Sequence, residues 1–271
     1  IRGKGFKGAV GSQASYSELV GENNVVEFER KLSEALDLDF FPIATQTYPR
    51  KQDYSIISVL GGLGASLHKF ALDLRILQSP PIGEISEPFT SKQVGSSAMP
   101  FKRNPINAEK INSLSRSLSV MPQVAWQNAA QSILERTLDD SANRRTMLPE
   151  AFLICDEIVM TAQKIVDGLV VNRDSIRQTM DSYVPFANTE ALMMEMVKAG
   201  ADRQETHEQL RGHALAAWAR VQAGSTDNPL AELIAVDPYF ATRIGGDRAR
   251  KILARRDYVG TSPSRGRGLS G

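Results

Sequence analysis

The sequence predicts an all-α fold, a long-helix bundle followed by a smaller helical domain. Two observations carry this. Three long stretches repeat apolar residues at helical spacing, with prolines marking the connections between them. Near Val170, Val171 and Asn172 the composition changes and the helical segments shorten, which divides the chain into 1–170 and 171–271.

The opening, Ile1 to Gly8, is basic, glycine-rich and without an initiating methionine, and reads as the later part of a longer protein. A short polar helix start follows Gly11, Ser12, Gln13, Ala14 and Ser15. Val25, Phe28, Leu32 and Leu36 then mark a helix with one face buried. Residues 39–50, with Pro42 and Pro49, form a partly extended connection. From Asp53, the series Ile56, Leu60, Leu63, Leu67, Phe70, Leu74 and Leu77 predicts a helix of about 25 residues, long for a globular protein. Gly61, Gly62 and Gly64 lie inside it. Either a neighbouring helix packs very close there or the helix middle is weakened or kinked.

Ser79, Pro80, Pro81 and Gly83 end that helix. Ile106, Ile111, Leu114 and Leu118 begin the second long one, which Pro122 should kink or interrupt before Trp126 and Ala130. The third runs through Leu148, Phe152, Cys155, Ile158, Ala162, Ile165 and Leu169, with Pro149 near its start. Beyond the boundary, shorter helices are predicted over 174–180, 189–199, 202–223 and 230–236, the third opened by a capping-box pair, Asp202 and Glu205. The polar, basic tail from about 261 reads as mobile.

The 271 residues carry a formal charge of +1, which suggests neither a nucleic-acid partner nor a membrane surface. The single cysteine, Cys155, falls in an apolar helical pattern and reads as core in a reducing compartment. No apolar run approaches the roughly 20 residues of a membrane span, so a cytoplasmic protein is expected.

Two clusters carry chemistry. The loop 95–105 contains Ser96, Ser97, Met99, Lys102, Arg103 and Asn104, bracketed by Gly95, Pro100 and Pro105. It is rich in hydrogen-bond donors and feeds the next helix, with Asn104 suited to the N-cap and Pro105 to the first turn. A helix N-terminus beside Lys102 and Arg103 would attract an anion. In the second cluster, 135–145, Ser141 and Arg145 share a helix face at i and i+4 and Arg136 approaches from the preceding loop. The three could converge on one anion, or Asp139 and Asp140 could neutralise the arginines in a surface network.

Residues 95–105, 135–145 and 11–15 together resemble the fumarase/aspartase superfamily, and within it the adenylosuccinate lyase family. The run Arg136, Thr137, Leu138, Asp139, Asp140, Ser141, Ala142, Asn143, Arg144, Arg145 points to that family. The likeness extends to about residue 215. It implies elimination of fumarate from adenylosuccinate to give AMP, and from the succinylated aminoimidazole-carboxamide ribotide, in purine nucleotide biosynthesis. It implies Ser96 as general base, Lys102 and Asn104 on the substrate carboxylate with Ser97 beside them, and Met99 and Arg103 in support. Arg136, Ser141 and Arg145 fall where the family binds the nucleotide phosphate, Gln13 where it meets the succinyl portion, and Glu109 where it orients a histidine. Lys110 replaces an arginine of the relatives, which keeps charge and loses bidentate geometry.

The resemblance implies no cofactor and no metal, and a homotetramer whose active sites are shared between subunits. The family's general-acid histidine belongs to a segment preceding Ile1, while His68, His207 and His213 read as structural. The alternatives are another superfamily lyase, argininosuccinate lyase or muconate cycloisomerase, or a non-catalytic helical fragment.

Overall fold

Three long helices organise the first half of the chain in the computed structural model, which describes residues 1–271 except 90–98, 100, 101, 226, 270 and 271. The chain divides into two units: Ile1–Pro81 with Ile85–Val171, and Ile82–Glu84 with Asn172–Gly271.

In the first unit, α1 (Ala14–Val20) and α2 (Val25–Leu36) precede the long helices α3 (Lys51–Leu77), α4 (Ile106–Ala130) and α5 (Asp139–Asp167). Strands β1 (Ile85–Ser86) and β2 (Val170–Val171) pair antiparallel, Ile85 opposite Val171. The core is the seam where α3, α4 and α5 meet: Ile57, Ala71, Leu74, Ala108, Ile111, Leu118, Ala125, Ile154, Ile158 and Ile165. Cys155 is buried here, as its apolar setting suggested, and burial raises its thiol pKa.

The glycines of α3 separate into two kinds. A Cβ on Gly64 would stand 3.1 Å from Leu118 Cδ2 and one on Gly61 3.3 Å from Pro122 Cγ, so α4 lies hard against both. Gly62 faces no neighbour within 4 Å. Close packing is therefore the reason for two of the three.

Of the two outcomes expected at Pro122, kink or interruption, α4 shows no interruption, and Pro149 lies well inside α5 rather than near its start. Both helices are held from each side: Leu118 and Ala125 flank Pro122, and Met147 and Ala151 flank Pro149, all buried. Fixed packing on both sides outweighs the roughly 3 kcal/mol that an interior proline costs. The buried face expected of α2 is realised only partly, since Val25 is its sole buried residue while Phe28 and Leu32 are half-covered.

By length and composition α3 is apolar enough to cross a membrane, which corrects the expectation that no such run exists. Its Ile57, Gly64, Ala71 and Leu74 are buried on the core side. Outward it exposes Val59, Leu63, Leu72 and Ile76, while α4 exposes Val120 and Trp126 and α5 exposes Phe152, Leu153, Val159, Met160 and Val166.

The second unit comprises α6 (Arg173–Ala187), α7 (Thr189–Lys198), α8 (Arg203–Gln222), α9 (Leu230–Val236), α10 (Pro238–Ile244), α11 (Gly246–Leu253) and α12 (Ser262–Leu269). Its core gathers Leu192, Met196, Leu210, Leu230, Ile234, Phe240 and Leu253. Asp202 caps α8 as predicted, its side chain accepting from Glu205 N at 2.8 Å. Buried Asn188 donates from Nδ2 to Leu253 O, the last carbonyl of α11, at 3.0 Å and to Arg255 O just beyond the helix at 2.6 Å. His213 Nε2 lies 2.7 Å from Asp237 Oδ2, and Asp237 in turn caps α10. In the tail, Ser262–Leu269 is helical, with no buried residue.

Candidate active site

The predicted residues fall at the two ends of the first unit's bundle. At one end the C-terminus of α3 meets the N-terminus of α4, where Gln78 Nε2 donates to Arg103 O at 3.2 Å. Lys102 and Arg103 are exposed just before α4, Asn104 is half-buried, and Lys102 N donates to Met99 O at 2.9 Å. The Arg103 guanidinium lies 5.1 Å above the Phe89 ring. Ser96 and Ser97 lie outside the described residues.

The expected cap of α4 is corrected. Pro105, not Asn104, stands at the N-cap position and supplies no side-chain cap. The helix start is satisfied by Glu87, which is 2% exposed. Its carboxylate accepts from Asn107 N at 3.1 Å, Ala108 N at 3.0 Å and Asn107 Nδ2 at 3.0 Å. The anion that this helix N-terminus attracts is thus a side chain of the same chain, 20 residues back. Glu87→Gln should cost about 1–2 kcal/mol, because the charge-assisted bonds weaken and one oxygen becomes a donor facing N–H groups. Equal unfolding midpoints for variant and parent would remove Glu87 from this role.

Further along α4, Glu109 Oε1 lies 3.9 Å from Arg75 Nη2, whose Nη1 donates to Asn112 Oδ1 at 3.0 Å. Lys110 pairs with Glu157 of α5, so its charge serves a helix–helix contact.

At the opposite end, the N-termini of α3 and α5 meet the C-terminus of α4. Arg50 Nε donates to Asp140 Oδ2 at 2.7 Å, and Arg144 Nε donates to Asp53 Oδ2 at 2.7 Å. Tyr48 OH donates to Asp53 Oδ1 at 2.7 Å and accepts from Arg144 Nη2 at 2.6 Å. Asp53 and Asp140 are only 2% and 3% exposed. Burial, followed by the bond to Asp53, raises the Tyr48 pKa. For Arg144, burial works against the charge, and the hydrogen bond and charge of Asp53 more than offset it, so its pKa rises.

This network bears on the neutralising reading of the second cluster. The acidic residue Asp140 neutralises Arg50 and approaches Arg144, not Arg136 or Arg145. The side chains of Arg136, Ser141 and Arg145 make no hydrogen bond or ion pair among the described residues. Two arginines and a hydroxyl thus stand uncompensated beside a rigid, internally neutral base. Tyr48, Arg50, Asp53 and Arg144 were not predicted. The one local signal was the i, i+4 spacing of Asp140 and Arg144.

Gln13 belongs to the same end, since the Gly11 backbone presses against Ala44, and Thr45 Oγ1 donates to Glu135 O at 2.6 Å. Gln13 itself adopts a left-handed backbone conformation, φ 56°. Its Nε2 donates to Phe6 O at 3.2 Å and Glu29 Oε2 at 3.2 Å, and Glu29 also pairs with buried Lys7. Nearby, a cleft of about 320 Å³ is lined by Thr45, Tyr48, Arg50, Ser132 and Glu135.

The structure therefore brings Gln13, Arg136, Ser141 and Arg145 to one end and Lys102, Arg103, Asn104 and Glu109 to the other. The 25 residues of α4 separate them, a rise of about 37 Å.

A family model described as lyase matches residues 14–119, and one described as adenylosuccinate lyase C-terminus matches residues 185–265. The adenylosuccinate lyase of Schistosoma mansoni is 40% identical over 245 residues, 89% of this chain and 51% of the relative. That of Schizosaccharomyces pombe is 37% identical over 263 residues, 96% of this chain and 54% of the relative. Among solved structures, fumarate lyase from Mesorhizobium sp. BNC1 superposes with a TM-score of 0.78 at 22% identity, over 96% of this chain and 55% of that one, which is a likeness of fold. The chain spans about half the length of the curated relatives it matches. With one family model in each unit and relatives alike along nearly its whole length, the chain belongs to the adenylosuccinate lyase family.

Proposed function

We propose that this chain serves a lyase that eliminates fumarate from adenylosuccinate to give AMP, and from the succinylated aminoimidazole-carboxamide ribotide, in cytoplasmic purine nucleotide biosynthesis. The reaction needs a base beside the substrate carboxylate, donors for the dianion that forms as the proton leaves, and an acid for the departing nitrogen. Ser96 is the base in this proposal. Lys102 and Asn104 hold the carboxylate, with Ser97, Met99 and Arg103 supporting them. Arg136, Ser141 and Arg145 take the nucleotide phosphate, and Glu109 orients a histidine. Gln13, with its amide held by Phe6 and Glu29, supports the succinyl side.

The observation that carries this reading is the separation of the two donor sets. About 37 Å of helix is more than twice the length of a nucleotide, so one copy of the bundle cannot place both sets on one substrate. Copies packed side by side with helices reversed can. This favours a homotetramer with sites shared between subunits, and the exposed apolar residues of α3, α4 and α5 supply a surface for it.

Mixing tests the arrangement. Ser96→Ala and Arg145→Ala variants, each made in a chain carrying the histidine-bearing segment of a relative, are refolded together and assayed for adenylosuccinate cleavage. If a site draws Ser96 and Arg145 from different subunits, random 1:1 assembly leaves about a quarter of the sites intact, and activity returns. Activity that stays at the sum of the two variants rejects shared sites. Absence of cleavage by the unmutated extended chain rejects the lyase reading itself.

A further inference from the structure

A cavity of about 660 Å³ opens in the second unit, away from every residue assigned above, bordered by α7, α11 and the residues after α11. Its size is that of a small-molecule cleft. Lys198, Arg248, Lys251 and Arg255 line it over an apolar floor that includes Met194 and Ile252, with Tyr258 at the side.

The cations are arranged rather than scattered. Glu195 accepts from Arg248 Nη2 at 2.7 Å and from Lys198 Nζ at 2.9 Å, which fixes two cationic heads at the cavity wall. Those bonds, Arg248 first, push the Glu195 pKa down to about 2, so the carboxylate stays ionised at any physiological pH. Asp257 accepts from Arg255 Nε at 3.1 Å. Lys251 makes no hydrogen bond or ion pair among the described residues. Four cations thus face two carboxylates, a net excess of two positive charges, and Lys251 is the cation left unpaired. The Arg255 guanidinium lies 5.8 Å from the centre of the Tyr258 ring, and the ring is 42% exposed.

A cationic wall over an apolar floor suits a ligand with the opposite halves, several negative charges joined to a flat apolar ring. We propose that this cavity binds a nucleoside polyphosphate, with phosphates on Lys251, Arg248 and Lys198 and the base on the apolar floor beside Tyr258. An inorganic polyphosphate would use only the wall. An acidic peptide would leave the floor unfilled.

The test is calorimetric titration of the chain with ATP, ADP, AMP and tripolyphosphate. Binding should be saturable and tighten from AMP to ATP. Lys251→Glu, an exposed and unpaired position, should weaken ATP about tenfold or more with an unchanged melting temperature. Tyr258→Ala should weaken ATP and leave tripolyphosphate unaffected. Arg145→Ala should leave ATP binding unchanged, which separates this cavity from the substrate site. Unaltered ATP affinity in Lys251→Glu overturns the proposal. So does tripolyphosphate binding as tightly as ATP, or an acidic peptide that outcompetes ATP.

Discussion

Ser96→Ala is expected to lower turnover about 10²- to 10⁴-fold, with little change in the Michaelis constant or in stability. A serine hydroxyl is a poor base in water, and it becomes useful only where solvent is excluded and a cation stabilises the alkoxide. Lys102, six residues on in the sequence, is exposed and has no ion pair among the described residues, so its charge is available for that purpose. If Ser96 is the base as proposed, alanine removes the proton acceptor and leaves the anion-holding donors in place, so the loss should fall on kcat. Arg145→Ala should do the reverse, raising the Michaelis constant about 10- to 100-fold through one lost charge-assisted contact of roughly 1.5–3 kcal/mol. Steady-state kinetics on both variants distinguishes the roles, and near-parental turnover in Ser96→Ala assigns the base elsewhere.

The second large effect is on stability. Asp140→Ala should destabilise the first unit by about 3 kcal/mol and lower its melting temperature by roughly 6–12 °C. The Asp140 and Arg50 side chains are 4% and 11% accessible, so removing the carboxylate strands a guanidinium that water barely reaches. The cost stays near the low end for a broken buried pair because Arg50 keeps its place 4.8 Å above the Tyr48 ring. Removing both charges with Arg50→Met and Asp140→Leu should cost less than Asp140→Leu alone, since neither partner is then left unpaired. Calorimetry on the single and double variants measures the coupling. Strict additivity would show that the two charges do not depend on each other.

The same contrast between local and distant partners explains what was legible in the sequence. The long apolar period located α3 within two residues at its start, and the Asp202 and Glu205 pair located the start of α8, because both signals are contained in adjacent turns. Glu87 was invisible as the cap of α4 because the donors it serves lie 20 residues away in the sequence. Asp53 was equally hidden, since its partner Arg144 is 91 residues distant. The prolines misled because their cost is local while the packing that offsets it is not. Of the site, the residue types and their spacing were readable. Their division between two ends of the bundle was not, since it depends on α4 continuing unbroken through Pro122.

The seam between α3 and α4 also constrains how this sequence can drift. Gly64 faces Leu118 and Gly61 faces Pro122 so closely that even a Cβ on α3 requires the partner to give by a few tenths of an ångström, and a larger side chain favours a smaller partner. Each facing pair is therefore heritable as a unit. A lineage that gains a bulky residue at 61 or 64 should be found to have given up bulk at 122 or 118, and a chimaera that joins α3 of one relative to α4 of another inherits half of each bargain.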